Sequence, residues 1–337
     1  MRAVGFRESL PIAAESSLVD LDLPRPEPQG RDLLVGIKAV SVNPVDVKVR
    51  LNAPPEPGAV KVLGWDAAGV VVAAGPEATL FGPGDAVFYA GAIDRSGTNA
   101  EFHLVDERIV GPKPASLDFP EAAALPLTAI TAWEALFDRL DVRRPVPGAA
   151  NALLIVGGAG GVGSIAIQLA RRLTDLTVIA TASRPETRDW CRELGAHHVV
   201  DHRRPLAAQV AALGIGAPAF TFSTNDTGTH LPDIAALIAP QGRVALIDDP
   251  KGLDVMVLKR KSVSLHWEFM FTRPLFGTVD VLAQHELLRE VARLVDAGTL
   301  RTTLTEVVGA IRADTLKRAH ALIESGRARG KIVLAGF

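Results

Sequence analysis

At 337 residues the chain is too long for one typical hydrophobic core and fits two domains. Its 48% hydrophobic and 22% charged content lie near the globular average, which argues against disorder. The 36 Lys and Arg residues nearly balance 38 Asp and Glu, so no charge excess points to nucleic acid or anionic lipid, and the single cysteine, Cys191, rules out an internal disulfide and a zinc site built on several thiolates.

The N-terminal stretch Met1-Arg2-Ala3-Val4-Gly5-Phe6 has no apolar run of signal-peptide length, and no apolar run of about 20 residues follows that would span a bilayer. The expected location is the cytoplasm. Roughly the first 115 residues read as β-rich. Apolar runs from Leu33 to Val40 and Gly69 to Ala73 are set off by Pro and Gly clusters, and Ala100 to Leu104 alternates like a strand buried on one face. Asp118 with Glu121 has capping-box spacing and opens a helix that runs to about Asp138, bent or divided at Pro126.

From Asn151 strands and helices alternate: Leu153–Val156, a helix over Val162–Leu173, Thr177–Ala182, a helix containing Cys191, Val199-Val200, Ala219–Ser223, a helix from Pro232, and Arg243–Ile247. Such alternation predicts a parallel sheet covered on both faces. Beyond Lys261 the pattern stops. Val263 to Phe271 is aromatic and strand-like, Gln284 to Ala297 and Leu316 to Glu324 are helical, and Lys331 to Leu334 is a last strand. This tail is too short for its own α/β domain and is expected to fold back onto the first.

The sharpest motif is Gly158-x-Gly160-x-x-Gly163, directly after the strand Leu153–Val156 and before a helix, with Gly161 and Val162 completing the turn. Glycine lets the backbone turn tightly and approach a diphosphate, while the helix N-terminus offers free N–H groups and a partial positive charge. An ordinary flexible turn is the plainer reading. At the end of the next strand an NAD-binding protein would place Asp or Glu on the ribose hydroxyls; here Ser183-Arg184 follow, with His202 and Arg188 as further candidates. No carboxylate repels a 2′-phosphate and a guanidinium can pair with it, so NADPH is the expected cofactor, against the alternative of solvated surface arginines. The only tyrosine, Tyr89, has Ile93 four residues on, so the Tyr-x-x-x-Lys pair of short-chain reductases is absent.

The chain resembles the medium-chain dehydrogenase/reductase superfamily over essentially its whole length. The stretches Ser41-Val42-Asn43-Pro44-Val45-Asp46, Leu63-Gly64-Trp65-Asp66-Ala67-Ala68-Gly69, Gly84-Asp85-Ala86-Val87 and Leu125–Trp133 carry that resemblance together with the glycine turn. It is most similar to the zinc-independent quinone oxidoreductase branch, including "zinc-type alcohol dehydrogenase-like" proteins. The implied fold is α/β, with a Rossmann-type doubly wound sheet (residues 127–271) and a GroES-like β-barrel domain (residues 1–126 and 272–337).

Zinc enzymes of the superfamily have Cys where this chain has Asn43, and Gly-His-Glu where it has Gly64-Trp65-Asp66. No metal is therefore expected. His103 and Asp66 are left over, and a lone His in an alternating strand reads as a half-buried strand residue. Without a Lewis acid an unactivated alcohol is a poor substrate, whereas a quinone, enone or enal spreads the arriving charge onto its oxygen.

The resemblance also implies residue roles. Asn43 lies beside the nicotinamide, or is only a turn residue before Pro44. Asp46 is near the reaction centre, or caps a helix. Thr128 contacts the nicotinamide side, or bonds backward to a helix carbonyl. Tyr89 donates to the developing oxyanion, or packs in the core. Trp65 and Phe269 line a pocket for a flat substrate, with Trp267 better suited to a core or subunit interface. Asp248 ends a strand facing the cofactor crevice, and Lys331 reaches the cofactor or is solvated. In relatives the last strand of the dinucleotide sheet pairs across a homodimer, which is expected here too. A zinc alcohol dehydrogenase and a non-catalytic NADPH-binding protein are the competing readings.

Overall fold

The computed structural model describes residues 1–337, which divide into two compact units, Met1–Ile130 with Phe271–Phe337, and Thr131–Met270. The first division lies four residues beyond the expected one, inside the helix Pro126–Trp133, so no loop marks it. No helix is long and apolar enough to cross a membrane.

The second unit holds a six-stranded, all-parallel sheet. Its spatial order is His198–Val200, Thr177–Thr181, Ala150–Val156, Pro218–Ser223, Arg243–Leu246, Ser264–Trp267. The chain starts in the middle, steps to one edge, returns to the middle and steps to the other edge. This is the doubly wound Rossmann order, with its switch point between Ala150–Val156 and Pro218–Ser223. Both inner strands are almost wholly buried because helices cover both faces. Ile165 and Leu169 of the helix Gly161–Leu173 are fully buried, as their spacing predicts.

Two expectations are corrected here, and the division of the helix at Pro126 is borne out. The helix expected from Pro232 begins at Thr227, because the Asp248 carboxylate accepts the Thr227 backbone N–H at 2.8 Å; Pro232 sits inside it. Only Ser264–Trp267 of the aromatic stretch is strand. Past Pro126 the predicted helix becomes Pro126–Trp133 followed by a π-helical segment, Glu134–Arg139.

In the first unit the long strand Asp32–Val42 is the hub. Ala67–Ala74, Phe102–Asp106 and the C-terminal Lys331–Ala335 all pair with it antiparallel. The tail thus folds back as expected. Leu304–Val307 extends this seven-stranded sheet, and Arg2–Phe6 centres a second, three-stranded one. The capping box at Asp118 and Glu121 forms with bonds of 2.8 and 3.0 Å. The alternation read at 100–104 is out of phase: His103 and Val105 are buried, whereas Phe102 and Leu104 are only half-buried. His103 tolerates this because both ring nitrogens find partners.

Candidate active site

The glycine turn joins the strand Ala150–Val156 to the helix Gly161–Leu173. Gly157 has φ +81°, a left-handed conformation that only glycine adopts at little cost. A Cβ on Gly158 would lie 2.8 Å from the Ala180 Cβ, and one on Gly163 would lie 2.3 Å from the Gly157 carbonyl oxygen. Those two glycines serve the protein's own packing. Gly160 differs: it has φ −72°, and a Cβ there would meet only the Gly157 oxygen, at 3.5 Å. Nothing in the protein requires glycine at 160. The open space beside that backbone leaves room for a close approach, and the turn fits a dinucleotide pyrophosphate at the N-terminus of a 13-residue helix.

At the end of the strand Thr177–Thr181 the Arg184 guanidinium is only partly exposed, and its Nε pairs with Glu186 at 2.9 Å. Arg188 donates to the Val199 carbonyl at 3.1 Å and Arg203 to the Ser183 carbonyl at 3.0 Å. Half-buried His202 stands edge-on to His230, and burial holds its pKa below the usual range. Asp248 caps a helix through both the backbone N–H and the hydroxyl of Thr227. Glu186 was missed in the sequence because only the folded turn places it on Arg184.

In the first unit, the strand end at Ser41–Val42 and the helix Pro44–Asn52 present Asn43 at a buried N-cap. Its backbone N–H donates to Asp46 Oδ2 at 2.8 Å, so Asp46 is a helix cap. Burial pushes the Asp46 carboxyl up to about 7, with the Asp66 charge adding to it and Lys331 opposing. The Asn43 amide nitrogen donates to Asp66 Oδ2 at 3.1 Å and to the Ser41 carbonyl at 3.3 Å. Its Oδ1 accepts from the Lys331 ammonium. Lys331 also donates to Asp66 Oδ2 at 2.9 Å and to the Val42 carbonyl at 3.3 Å. Solvation of Lys331 is excluded, since it is 3% exposed and Asp66 is wholly buried. Burial raises the Asp66 pKa while Lys331 lowers it.

The remaining predicted residues are also committed. The Thr128 hydroxyl bonds backward to the Leu125 carbonyl at 3.1 Å. Tyr89 is fully buried, stacks on His103 and lies 3.0 Å from its Nδ1. His103 Nε2 is 2.8 Å from the Ser96 carbonyl, which can only accept, so Nε2 carries the proton and Tyr89 donates to Nδ1. Burial lowers the His103 pKa to about 4 and raises that of Tyr89 well above normal, which keeps both neutral. Trp65 is buried, donates to the Ala92 carbonyl at 3.1 Å and packs edge-on against Phe271. Phe269 and Trp267 are both exposed, at 46% and 56%, so Trp267 is not a core residue.

The donor set does not fit zinc. No three His, Cys, Asp or Glu side chains are grouped so as to hold a metal ion, Trp65 offers no ligand, His103 uses both nitrogens internally, and Asp66 already holds an ammonium.

A doubly wound sheet with a glycine cradle, attached to a β-rich unit, defines a dinucleotide-binding protein of two units. Residues 29–115 match the family described as alcohol dehydrogenase GroES-like domain and residues 194–334 match zinc-binding dehydrogenase. A "zinc-type alcohol dehydrogenase-like protein" of Staphylococcus aureus (strain MSSA476) is 39% identical over 99% of each chain. A crystal structure from Rhizobium etli CFN 42, provisionally described as a zinc-dependent alcohol dehydrogenase, is 66% identical with TM-score 0.99 over 100% of this chain and 98% of its own. A quinone oxidoreductase from Pseudomonas syringae pv. Tomato DC3000 is 25% identical with TM-score 0.83 over 99% of both chains. The chain belongs to the medium-chain dehydrogenase/reductase superfamily and is an oxidoreductase of that family, whose members use nicotinamide cofactors.

Proposed function

We propose that this protein is an NADPH-dependent reductase that passes hydride to a quinone or an α,β-unsaturated carbonyl without zinc, working as a homodimer. One observation carries the reading: Asp66 and Asn43 are engaged by the internal ammonium of Lys331, which argues against a Lewis acid at those two side chains. Without metal polarisation, hydride transfer favours a conjugated carbonyl over an unactivated alcohol. NADPH, when bound, supplies the hydride. The backbone N–H groups at Gly160 to Gly163 hold its pyrophosphate, and Arg184 exchanges Glu186 for the 2′-phosphate. Asn43 and Thr128 remain the residues assigned to the nicotinamide. Asn43 can act there only as an acceptor, because both its amide hydrogens are spent on Ser41 and Asp66. With the Tyr89 hydroxyl given to His103, the proton comes from solvent. The exposed Trp267, on the outermost strand of the sheet, supports pairing of that edge with a second copy.

The reading is tested by turnover of purified protein with NADPH and NADH against quinones, enals, enones and alcohols, alongside a zinc assay. NADPH oxidation with the conjugated carbonyls and substoichiometric zinc are expected. Alcohol oxidation with one tightly held zinc per chain would transfer the assignment to a zinc alcohol dehydrogenase.

Two variants refine the assignment. R184A should weaken NADPH binding by ~1.5–3 kcal/mol, about 10- to 150-fold, and leave NADH binding nearly untouched in fluorescence titrations. Equal losses for both cofactors would remove Arg184 from the phosphate site. Y89F should lower stability by about 1 kcal/mol through the lost bond to His103. Its kcat should stay within about twofold of wild type, whereas loss of a general acid costs about a hundredfold or more.

A further inference from the structure

We propose that Lys331 is a positioning residue for the reduction, and that its ammonium takes the place of a metal by orienting Asn43 and, through Asp66, the helix start that carries Thr128. The proposal rests on the reductase reading above. Each N–H of the ammonium has one acceptor: Asp66 Oδ2 at 2.9 Å, the Val42 carbonyl at 3.3 Å, and Asn43 Oδ1.

This arrangement fixes the Asn43 amide in one sense. Rotating it by half a turn would set its NH2 against the ammonium and its oxygen against Asp66 and the Ser41 carbonyl. One lone pair of Oδ1 is used by no bond within the protein. The other carboxylate oxygen, Asp66 Oδ1, accepts the backbone N–H of Leu127 at 3.0 Å. That N–H belongs to the first turn of the helix Pro126–Trp133, where donors have no partner within the helix. Thr128 follows by one residue. A single ammonium–carboxylate pair therefore sets both residues assigned to the nicotinamide.

Sheet register brings the parts together. The strand Lys331–Ala335 pairs antiparallel with Asp32–Val42, with Ile332 opposite Val42 and Val333 opposite Ser41, so Lys331 lies beside the exit of the chain toward Asn43. Stability alone gives little reason to keep the pair. Withdrawing two charges from water offsets most of their attraction, and apolar replacements of similar size are commonly as stable. Orientation of Asn43 is what such replacements cannot supply.

The test compares wild type with K331M/D66N, which removes both charges so that none is left buried alone, and with K331R, which keeps Asp66 paired and secures folding if the double variant does not fold. NADPH binding, read by fluorescence, should stay within about threefold, and kcat should fall at least about tenfold with a smaller change in KM. The two side-chain amide proton signals of Asn43, distinct and slow to exchange in the wild type, should lose their protection in step with kcat. Three results would overturn the proposal: kcat retained, kcat lost with the Asn43 signals unmoved, or NADPH affinity falling as far as kcat, which would make Lys331 a cofactor contact. Failure of the wild type to reduce any acceptor would instead remove the reductase reading, and this proposal with it.

Discussion

Gly163→Ala is expected to weaken NADPH binding at least about tenfold, with overpacking costing ~1–3 kcal/mol of stability. The added Cβ would stand 2.3 Å from the Gly157 oxygen and 2.7 Å from the Gly158 Cα, both backbone atoms of the turn itself. Relief of that clash must move the turn or withdraw the helix Gly161–Leu173, and either displaces the N–H groups proposed to hold the pyrophosphate. Gly160→Ala separates binding from folding. Its Cβ meets only one protein atom, at 3.5 Å, so the melting temperature should stay near that of wild type while NADPH affinity falls. Thermal melts and cofactor titrations on both variants check this pair. A Gly160→Ala protein that binds NADPH normally would show that no phosphate lies against the backbone there.

The second large effect concerns pH. Glu134 and Glu268 are both buried and converge on one guanidinium: Arg139 Nε is 2.9 Å from Glu268, and its NH2 is 3.9 Å from Glu134. One cation cannot neutralise two carboxylates, so a proton is retained. Burial, followed by the neighbouring Glu134 charge, pushes Glu268 up to about 9. Below the ordinary glutamate pKa of about 4.3, folded and unfolded chains both hold this proton and it costs nothing. As pH rises, the unfolded chain releases the proton first, so this site's contribution to stability falls continuously until pH reaches about 9. Asp46 adds a decline of the same sign that ends near its own value of about 7. Glu268→Gln, a neutral mimic of the protonated acid, should therefore be more stable than wild type at pH 8.5 by at least ~1 kcal/mol, with little difference at pH 4.5. Melting temperatures at the two values decide it. An unchanged or steeper loss of stability with pH in the variant would place the retained proton elsewhere.

The glycine cradle was legible because all its determinants are contiguous: an apolar strand, a turn and an amphipathic helix within Ala150–Leu173. The capping box at Asp118 was legible for the same reason. The helix at Thr227 was not, since its cap comes from Asp248, 21 residues away. His103 was misread because polar–apolar alternation assumes that a polar side chain points to water. Here Tyr89 and the Ser96 carbonyl supply the bonds that water would have made. Arg184 was visible as a cation, but Glu186, its partner in the fold, was not.

Sequence alone thus determined the α/β class, the strand–glycine turn–helix unit, the family and the absence of a thiolate cluster, because each is carried by residue type or by neighbours along the chain. Only the tertiary structure decided the state of the candidate site: that Asn43 is held in one orientation, that Tyr89 has spent its proton, and that Lys331 is buried on Asp66. Lys331 and Asp66 stand 265 residues apart. They meet because the last strand returns to pair with the hub of the first unit, and once desolvated each charge requires the other.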